Sequence, residues 1–309
     1  MNATSWRFDG DDCSLHMVSE VPKPSQEANA SIGCDCNIGN HTDDCHVSIS
    51  LTLKSTLPSR GWRSGKCLSP FSRGLRDFAY NYLSGTIPPE WGSTTLQEIS
   101  LLGNRLTGSI PPELGNITTL TKLNFEANQL SGTIPSELGR LTNLKTLILS
   151  SNRLTGRLPT TLGQLGNLTE FRIKENNFSG SIPDFIQNWR LLTRLEMVAS
   201  GLTGPIPSNI SLLENLTDLI LRNCNISGEI PEYIWLMREL EVLDLSFNRL
   251  VGRISNNIVG WTLRFVFLTA NMLSGDIPDT LLLNGATIDF SYNNFTWQGP
   301  DQATCRQNQ

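Results

Sequence analysis

The segment "NRLTGSIPPELGNITTLTKLNFEAN", residues 104–128, contains one full period of a repeat that runs through most of the chain. The pattern Asn-x-Leu-x-Gly-x-Ile-Pro returns every 24 residues, with intervals of 23 or 22 near the two ends. Ten copies in phase cannot plausibly arise by chance, so the repeat decides the fold. The copies begin at residues 81, 104, 128, 152, 176, 200, 224, 248, 271 and 293.

A leucine motif, L-x-x-L-x-L, precedes most copies, as in "LKTLILSSN" from Leu144 and "LEVLDLSFN" from Leu240. Together the two motifs form the leucine-rich-repeat pattern. We therefore predict a β-rich α/β repeat fold, a right-handed leucine-rich-repeat solenoid with a curved parallel sheet on its concave face. The alternating leucines should point inward, and the residues between them should face outward.

The asparagine that starts each repeat follows the strand, where the backbone turns inside the coil. An Asn side chain can donate to and accept from the backbone of neighbouring turns, and leaving such groups unpaired costs about 1–3 kcal/mol each. The glycine permits a backbone angle that a side chain would forbid, and Ile-Pro then begins an extended stretch. Cys224 replaces the asparagine in its repeat, and we interpret it as a small, buried, structural thiol.

The bulk composition excludes several classes of function. The 309 residues carry a formal net charge of -5, and the Lys and Arg residues are scattered, which argues against nucleic acid as a partner. No window approaches 18 consecutive apolar residues, and the N-terminus lacks the basic start and apolar stretch of a signal peptide. We therefore expect no membrane segment in this chain, and the missing signal taken alone points to the cytosol.

Cysteines in the polar N-terminal stretch indicate the opposite compartment. They are Cys13, Cys34, Cys36 and Cys45, and disulfides there would substitute for a missing core. We favour the pairs Cys13 with Cys34 and Cys36 with Cys45, because a Cys34–Cys36 bridge would close a strained ring. Zinc is the competing interpretation, since His46 follows Cys45, but no C-x2-C pair is present.

The pattern divides the chain into four segments. We predict a cysteine-containing cap over 1–53, an irregular first repeat over 54–78, leucine-rich repeats over 79–300 and a C-terminal tail over 301–309. In the irregular segment, Arg76 falls where an inward leucine is needed.

Glycosylation patterns also favour secretion. Asn-x-Ser/Thr occurs ten times, although some copies are by-products of the repeat consensus. Our glycosylation candidates are Asn40, Asn116, Asn167, Asn177, Asn209, Asn215, Asn225 and Asn294; the pattern also occurs at Asn2 and Asn29.

Four stretches carry a narrower resemblance: "WRFDGDDC", "CDCNIGNHTDDCHVSISLTL", "FIQNWRLLTRLEMVASGLTGPIP" and "DFSYNNFTWQGPDQATC". The chain resembles the ectodomain of the plant leucine-rich-repeat receptor-like serine/threonine kinases whose repeats are followed by a malectin-like domain. The resemblance implies an extracellular or cell-surface location, with the plasma membrane as the site of full-length relatives. It also implies a peptide, protein or cell-wall-derived ligand, and a co-receptor as a further partner.

Catalytic chemistry is not indicated. The histidines, His16, His41 and His46, all lie in the cap, and no Ser/His/Asp or Cys/His arrangement can be built within the repeats. No glycine-rich phosphate loop or kinase catalytic loop appears. We therefore expect no enzyme activity, no metal and no cofactor in this chain.

The outward positions of the predicted strands give the candidate binding surface. Cations, carboxylates and apolar residues mix in mid-array, as they do at protein and peptide interfaces. A mutually neutralised charged surface is the alternative interpretation. The candidates are Arg172, Lys174, Arg194, Glu196, Ile220, Arg222, Asp244 and Phe267.

Three functions remain. The leading hypothesis is a non-catalytic extracellular recognition module, the ectodomain of a plant receptor-like kinase or a secreted form of it. The second is a secreted leucine-rich-repeat inhibitor of a cell-wall-degrading enzyme, which would resemble the plant polygalacturonase-inhibiting proteins in architecture. The third is an intracellular interaction scaffold, which reduced cap cysteines would favour.

Overall fold

The computed structural model describes residues 75–258, 262–283 and 285–296, together with the backbone of four short strands nearer the N-terminus. Those strands pair as two antiparallel hairpins, and the second places Cys36 opposite Cys45 in the register. The remaining cap predictions, including Cys13 and Asn40, lie outside the described residues. The four strands are Arg7–Phe8, Leu15–His16, Ser31–Cys36 and Cys45–Ser50.

A ten-stranded parallel sheet forms one face of the repeat array, with strands hydrogen bonded in chain order. This arrangement confirms the leucine-rich-repeat solenoid. We number its strands β1 (Leu75–Asp77), β2 (Glu98–Ser100), β3 (Lys122–Asn124), β4 (Thr146–Ile148), β5 (Glu170–Arg172), β6 (Arg194–Glu196), β7 (Asp218–Ile220), β8 (Val242–Asp244), β9 (Phe265–Phe267) and β10 (Thr287–Asp289).

Strand β1 lies in the segment that we predicted to be irregular. Its backbone pairs with β2, and Arg76 stands opposite Ile99 in the register. The sheet therefore starts before residue 79.

The central residue of each strand points into the coil, as the leucine motif predicts. Leu123, Leu147, Leu195 and Leu219 are fully buried, and full burial of a leucine contributes about 1.5–3 kcal/mol. The buried residues form one continuous core along the array. Each coil is thus stabilised mainly by its two neighbours.

In the part of the chain that the structure describes, seven 3-10 helices line the side opposite the parallel sheet. A proline with an extended backbone precedes each helix, which confirms the expectation for Ile-Pro. Among the described residues, no helix has the length and apolar composition needed to cross a membrane. The helices are Pro89–Ser93, Pro112–Asn116, Ser136–Arg140, Thr160–Gln164, Asp184–Asn188, Ser208–Leu212 and Glu232–Leu236, and an α-helix follows at Asp279–Leu283.

Short parallel strands after the ladder residue form further sheets along one lateral face. One sheet has two strands, one has three, and one has four. Between the last two sheets only isolated bridges occur, Ser181 with Thr203 and Gly204 with Ile226. The strands are Ser84–Gly85 and Arg105–Leu106; Ser131–Gly132, Arg153–Gly156 and Asn177–Phe178; and Ser227–Glu229, Arg249–Gly252, Met272–Gly275 and Asn294–Phe295.

The buried asparagines form the predicted ladder. Asn128 shows the pattern: its Nδ2 donates to Leu101 O at 2.8 Å in the preceding coil and to Phe125 O at 3.2 Å in its own. Its Oδ1 accepts from the Leu106 N–H at 3.1 Å. One side chain therefore satisfies backbone groups from two coils.

Cys224 occupies the ladder position of its repeat and is 2% exposed. It is a free thiol; its Sγ donates to Met197 O, and its backbone N–H donates to Asn248 Oδ1 at 3.0 Å. The prediction of a buried structural thiol is confirmed. Desolvation by burial raises the pKa of Cys224, so the thiol form is favoured in the folded protein.

Ser200 replaces the asparagine one coil earlier, and its backbone carbonyl supplies one of the acceptors that an asparagine side chain would provide. The Phe178 N–H donates to Ser200 O at 2.8 Å. This close approach requires glycine next door, because Gly201 has φ +89° and a Cβ there would lie 2.3 Å from Phe178 O. In a regular repeat, the Oδ1 of an asparagine at position 224 would accept a hydrogen bond from the Leu202 N–H. Here the Leu202 N–H donates to Ser200 Oγ at 3.4 Å instead.

Candidate ligand-binding surface

The register of the concave sheet confirms the predicted outward columns. Arg172 stands between Ile148 and Glu196, and Glu196 stands beside Ile220. Six of the eight candidate residues lie in strands β5 to β9. Lys174 and Arg222 follow β5 and β7 by two residues. The structure brings the candidates onto one face but divides them into two groups.

The first group is centred on Arg172. Its Nη2 lies 3.4 Å from Glu126 Oε1, its Nη1 lies 3.5 Å from Glu170 Oε1, and its Nε lies 3.0 Å from Glu196 Oε2. The Nε hydrogen does not point at the Glu196 carboxylate, so this contact is an ion pair without an aligned hydrogen bond. Lys174 Nζ also contacts Glu126 Oε1 at 3.4 Å.

Arg194 extends the network toward the C-terminal repeats. Its Nη2 lies 3.2 Å from Glu196 Oε2, and its Nη1 lies 3.5 Å from Asp218 Oδ1. We call the seven residues the concave ion network. Its members are Glu126, Glu170, Arg172, Lys174, Arg194, Glu196 and Asp218.

The concave ion network is a partly buried layer. The Glu196 side chain is 9% exposed and that of Arg172 is 21% exposed. In the same outward columns, Ile148 and Ser150 are buried, and Ser150 Oγ has no hydrogen-bond partner among the described residues. In this network, three cationic side chains pair with four carboxylates. For these residues the geometry therefore matches the alternative interpretation, a charged surface whose members neutralise one another.

The second group lies further along the sheet and is open. The Arg222 guanidinium carbon lies 4.8 Å from the centroid of the Phe247 ring. Among the described residues, no carboxylate oxygen is close enough to Arg222 to form an ion pair. Phe265 and Phe267 stack in β9, with ring centroids 6.4 Å apart.

Asp244 belongs to the second group by position but is engaged locally. Its Oδ1 accepts from the Ser246 N–H at 3.0 Å, which fixes the turn after β8. Ile220, in the next strand, is half-buried beside it in the register. The open group therefore combines one cation, one turn-forming carboxylate and several apolar side chains.

Phe247 is a site residue that we did not predict. It precedes the ladder asparagine, a corner position at which most repeats hold a residue in the left-handed backbone region, and it has φ +58°. The sequence does carry a signal for this residue. Phe247 is bulky, whereas the other corner residues between the two ends of the array are small or polar. Apart from Tyr80 and Tyr292 near the ends, the other left-handed corner residues are Ala127, Ser151, Glu175, Ala199, Asn223 and Ala270.

The described glycosylation candidates all avoid the concave strands. Asn177, Asn225 and Asn294 lie on the lateral face of the short strands, and each is exposed. Asn116 and Asn209 lie in 3-10 helices, and Asn167 and Asn215 lie between a 3-10 helix and the concave strand that follows it.

No catalytic arrangement emerges from residues 75–258, 262–283 and 285–296. The three histidines belong to the cap, outside the described side chains. No group of three or more His, Cys, Asp or Glu residues in these ranges could hold a metal ion.

Fold and surface together define a leucine-rich-repeat module with an open concave face. The Leucine Rich Repeat family profile matches six segments, residues 95–117, 119–141, 143–165, 167–189, 215–237 and 239–261. A curated relative, a probable leucine-rich repeat receptor-like serine/threonine-protein kinase of Arabidopsis thaliana, is 44% identical over 155 residues. That match covers 49% of this chain but only 14% of the relative.

Solved structures identify the part of the receptor kinases to which the chain corresponds. It is 38% identical to the plant peptide hormone receptor RGFR1, solved in complex with RGF2, with a TM-score of 0.66 over 69% of this chain and 35% of that one. It is 33% identical to the Arabidopsis receptor kinase HAESA, solved with the peptide hormone IDA and the co-receptor SERK1, with a TM-score of 0.67 over 70% of this chain and 37% of that one. The chain is similar to the leucine-rich-repeat ectodomains of plant receptor kinases, not to their kinase domains.

Proposed function

We propose that this chain is an extracellular recognition module, the ectodomain of a plant receptor-like kinase or a secreted form of it, and that it binds a peptide or protein ligand on the concave face. The binding surface is the open group on and after strands β7 to β9, including Ile220, Arg222, Asp244 and Phe267. The binding surface is flanked by side chains of the concave ion network that are already held by ion pairs, namely Arg172, Lys174, Arg194 and Glu196.

The observation that carries the proposal is the distribution of open and covered surface. All described glycosylation candidates lie off the concave strands, so attached glycans would leave that face accessible. On that face, Arg222 and Phe265 are exposed, whereas the concave ion network already satisfies its own charges. The complexes of RGFR1 and HAESA with peptide hormones support a ligand of this class.

A single substitution tests the surface. Asp244→Asn creates the glycosylation pattern Asn-Leu-Ser in the last residue of β8, so a glycan would block the open group. The matched control, Asp244→Asn with Ser246→Ala, has the same charge change without the acceptor pattern. Both proteins are secreted from plant cells, and glycan addition is verified by mass.

The measurement is capture of small peptides from plant extracellular fluid, quantified by mass spectrometry. We expect wild type to retain a set of peptides, and the glycosylated variant to lose peptides that the unglycosylated control still retains. Equal capture by all three proteins would place binding elsewhere, and no capture by wild type would contradict a peptide ligand.

A finer proposal concerns the group of relatives. The cap sequences and the closing "TWQGP" support a receptor kinase with a malectin-like domain after the repeats, acting with a co-receptor. Transcripts that continue past Gln309 into a malectin-like and kinase coding region would agree with this assignment. A stop codon at that point in every transcript would favour the secreted form.

A further inference from the structure

Phe247 places a bulky side chain at a corner where the fold requires a left-handed backbone. Its backbone is left-handed, at φ +58°, which is unfavourable for a bulky side chain. Its ring is 48% exposed and therefore adds little to the core. Neighbouring corners hold Asn223 and Ala270, which fit the same backbone at lower cost. The fold requires the left-handed backbone at this corner but not the phenylalanine ring, so the exposed ring is available to contact a ligand.

Arg222 is held over this ring without a carboxylate partner among the described residues. The guanidinium carbon lies 4.8 Å from the ring centroid, within the range of a cation–π contact. Arg172 and Arg194, by contrast, each contact at least two carboxylates. The Arg222–Phe247 pair thus presents an oriented guanidinium whose donors are open to a further acceptor.

Further apolar surface lies at the start of β9, two strands from Arg222. Phe265 in β9 is 42% exposed and stacks on Phe267. Arg222, Phe247 and Phe265 come from three consecutive repeats, whose strands are about 4.8 Å apart. Phe265 lies two strands from Arg222 and four register positions nearer the strand start, so their backbones are about 16 Å apart. About five residues of an extended chain, at about 3.3 Å each, span that distance.

The surrounding charges restrict the ligand. Asp218 and Asp244 lie on the strands beside Arg222, and Asp289 follows in the outward column. A polyanion such as an acidic polysaccharide would face these carboxylates, whereas one isolated carboxylate can reach the guanidinium. The exposed rings of Phe247 and Phe265 offer no hydrogen-bonding groups of their own, which favours an apolar side chain over a sugar.

We propose that Arg222, Phe247 and Phe265 form a binding site for an extended peptide segment that carries one acidic side chain about five residues from an aromatic or aliphatic one. The carboxylate pairs with the guanidinium of Arg222, and the apolar side chain packs on Phe265. This inference rests on the proposed function and specifies which ligand chemistry the concave face selects.

The test uses a phage-displayed library of random peptides selected on the secreted protein. We expect enriched sequences to share an Asp or Glu about five residues from an apolar residue. Affinities of the synthetic peptides are then measured for Arg222→Gln and Phe247→Ala. Each variant should weaken binding by about tenfold or more, since both contacts are part of one small site.

Matched controls separate the site from general effects. Arg249→Gln removes an exposed arginine from the lateral face, and Tyr292→Ala removes an exposed aromatic residue from another left-handed corner. Both should change affinity by less than about twofold. Phe247→Ala relieves strain, so its loss of binding would not reflect misfolding.

The outcomes also separate this inference from the proposed function. Peptides that lack the acidic and apolar pair, or that bind Arg222→Gln and Phe247→Ala as tightly as wild type, overturn the site. If such peptides still lose binding to glycosylated Asp244→Asn, the concave recognition face stands. Failure to enrich any peptide overturns the inference as well.

Discussion

The side chain at the start of each repeat must satisfy backbone groups from two coils at once. Asn248 does so by donating to Leu221 O at 2.8 Å and accepting from the Ile226 N–H at 3.0 Å. Cys224 supplies a donor to the preceding coil but no acceptor for Leu202, which bonds to Ser200 Oγ at 3.4 Å instead. The ladder is therefore weakest at these two adjacent repeats.

Restoring the asparagine should repair this defect. Cys224→Asn is expected to be neutral or to stabilise the protein by up to about 1.5 kcal/mol, because it adds an acceptor for the Leu202 N–H. Cys224→Leu should destabilise by about 1–3 kcal/mol, because it leaves buried backbone groups unpaired. Urea denaturation of the three proteins measures both effects. Identical midpoints would contradict the role of the ladder.

Two buried tryptophans provide a second comparison. Trp189 Nε1 donates to Leu162 O at 2.9 Å, whereas Trp235 Nε1 has no partner among the described residues. Trp189→Phe should therefore cost about 1–3 kcal/mol more than Trp235→Phe, since only the first leaves a carbonyl without its donor. Thermal unfolding of both variants is the measurement, and an equal loss would mean that the indole hydrogen bond contributes nothing.

Among the elements, the concave strands show what the sequence could and could not predict. The period of two placed Arg172, Glu196 and Ile220 correctly on the outward columns, because a parallel register repeats the same position in every strand. Pairing across strands depends on side-chain direction, as in the contact between Arg172 and Glu126, residues that belong to coils two repeats apart. The open state of Arg222 was missed for the same reason, whereas Phe247 could have been found from its bulk among small or polar corner residues.

The concave ion network should contribute to stability. Glu196→Gln is expected to destabilise by about 1–2 kcal/mol, since its partly buried carboxylate contacts two arginines. Arg264→Gln is the control, because its pair with Glu241 is exposed and worth under about 1 kcal/mol. Denaturant curves at low and high salt provide the readout. An equal effect in both variants would show that the network is only a surface feature.

Charge reversal separates the two groups of candidate residues. Arg172→Glu should lower stability, because it places a fourth negative charge beside Glu126, Glu170 and Glu196. Arg222→Glu should lower stability less, because it loses the contact with the Phe247 ring but no ion pair among the described residues. Melting temperatures of the two variants decide this. A greater loss for Arg222→Glu would contradict the division.

At the scale of the whole molecule, the N-terminal hairpin bears on the cap. Opposed residues of an antiparallel pair have Cα atoms about 4.5–5.5 Å apart, which suits a disulfide. The register of Cys36 with Cys45 is therefore compatible with the predicted bridge, and Cys13 with Cys34 remains the companion prediction. Non-reducing peptide mapping of secreted protein tests both pairs. Four free thiols would contradict them and reopen the zinc interpretation.

The array as a whole is continuous on one face and divided on another. The concave sheet runs unbroken through β1 to β10, but the lateral strands separate between Phe178 and Ser227. The weak ladder positions, Ser200 and Cys224, fall within the same interval. The concave ion network includes the pair of Arg194 with Asp218, which joins β6 to β7 within this interval. Ion pairs therefore connect neighbouring coils at the point where the ladder is weak and the lateral strands are interrupted.

Stability in a repeat array is a sum of local terms, so this interval should open more readily than the rest. In hydrogen exchange, we expect the Leu202 amide to exchange faster than those of Leu154 and Leu250, which donate at 3.0 Å to the ladder asparagines Asn176 and Asn271. Cys224→Asn should slow the exchange of Leu202 and leave the other two unchanged, because only Leu202 gains an acceptor. If Leu202 is protected as strongly as Leu154 in the wild-type protein, or if the substitution slows all three amides equally, the ladder is not what sets local stability.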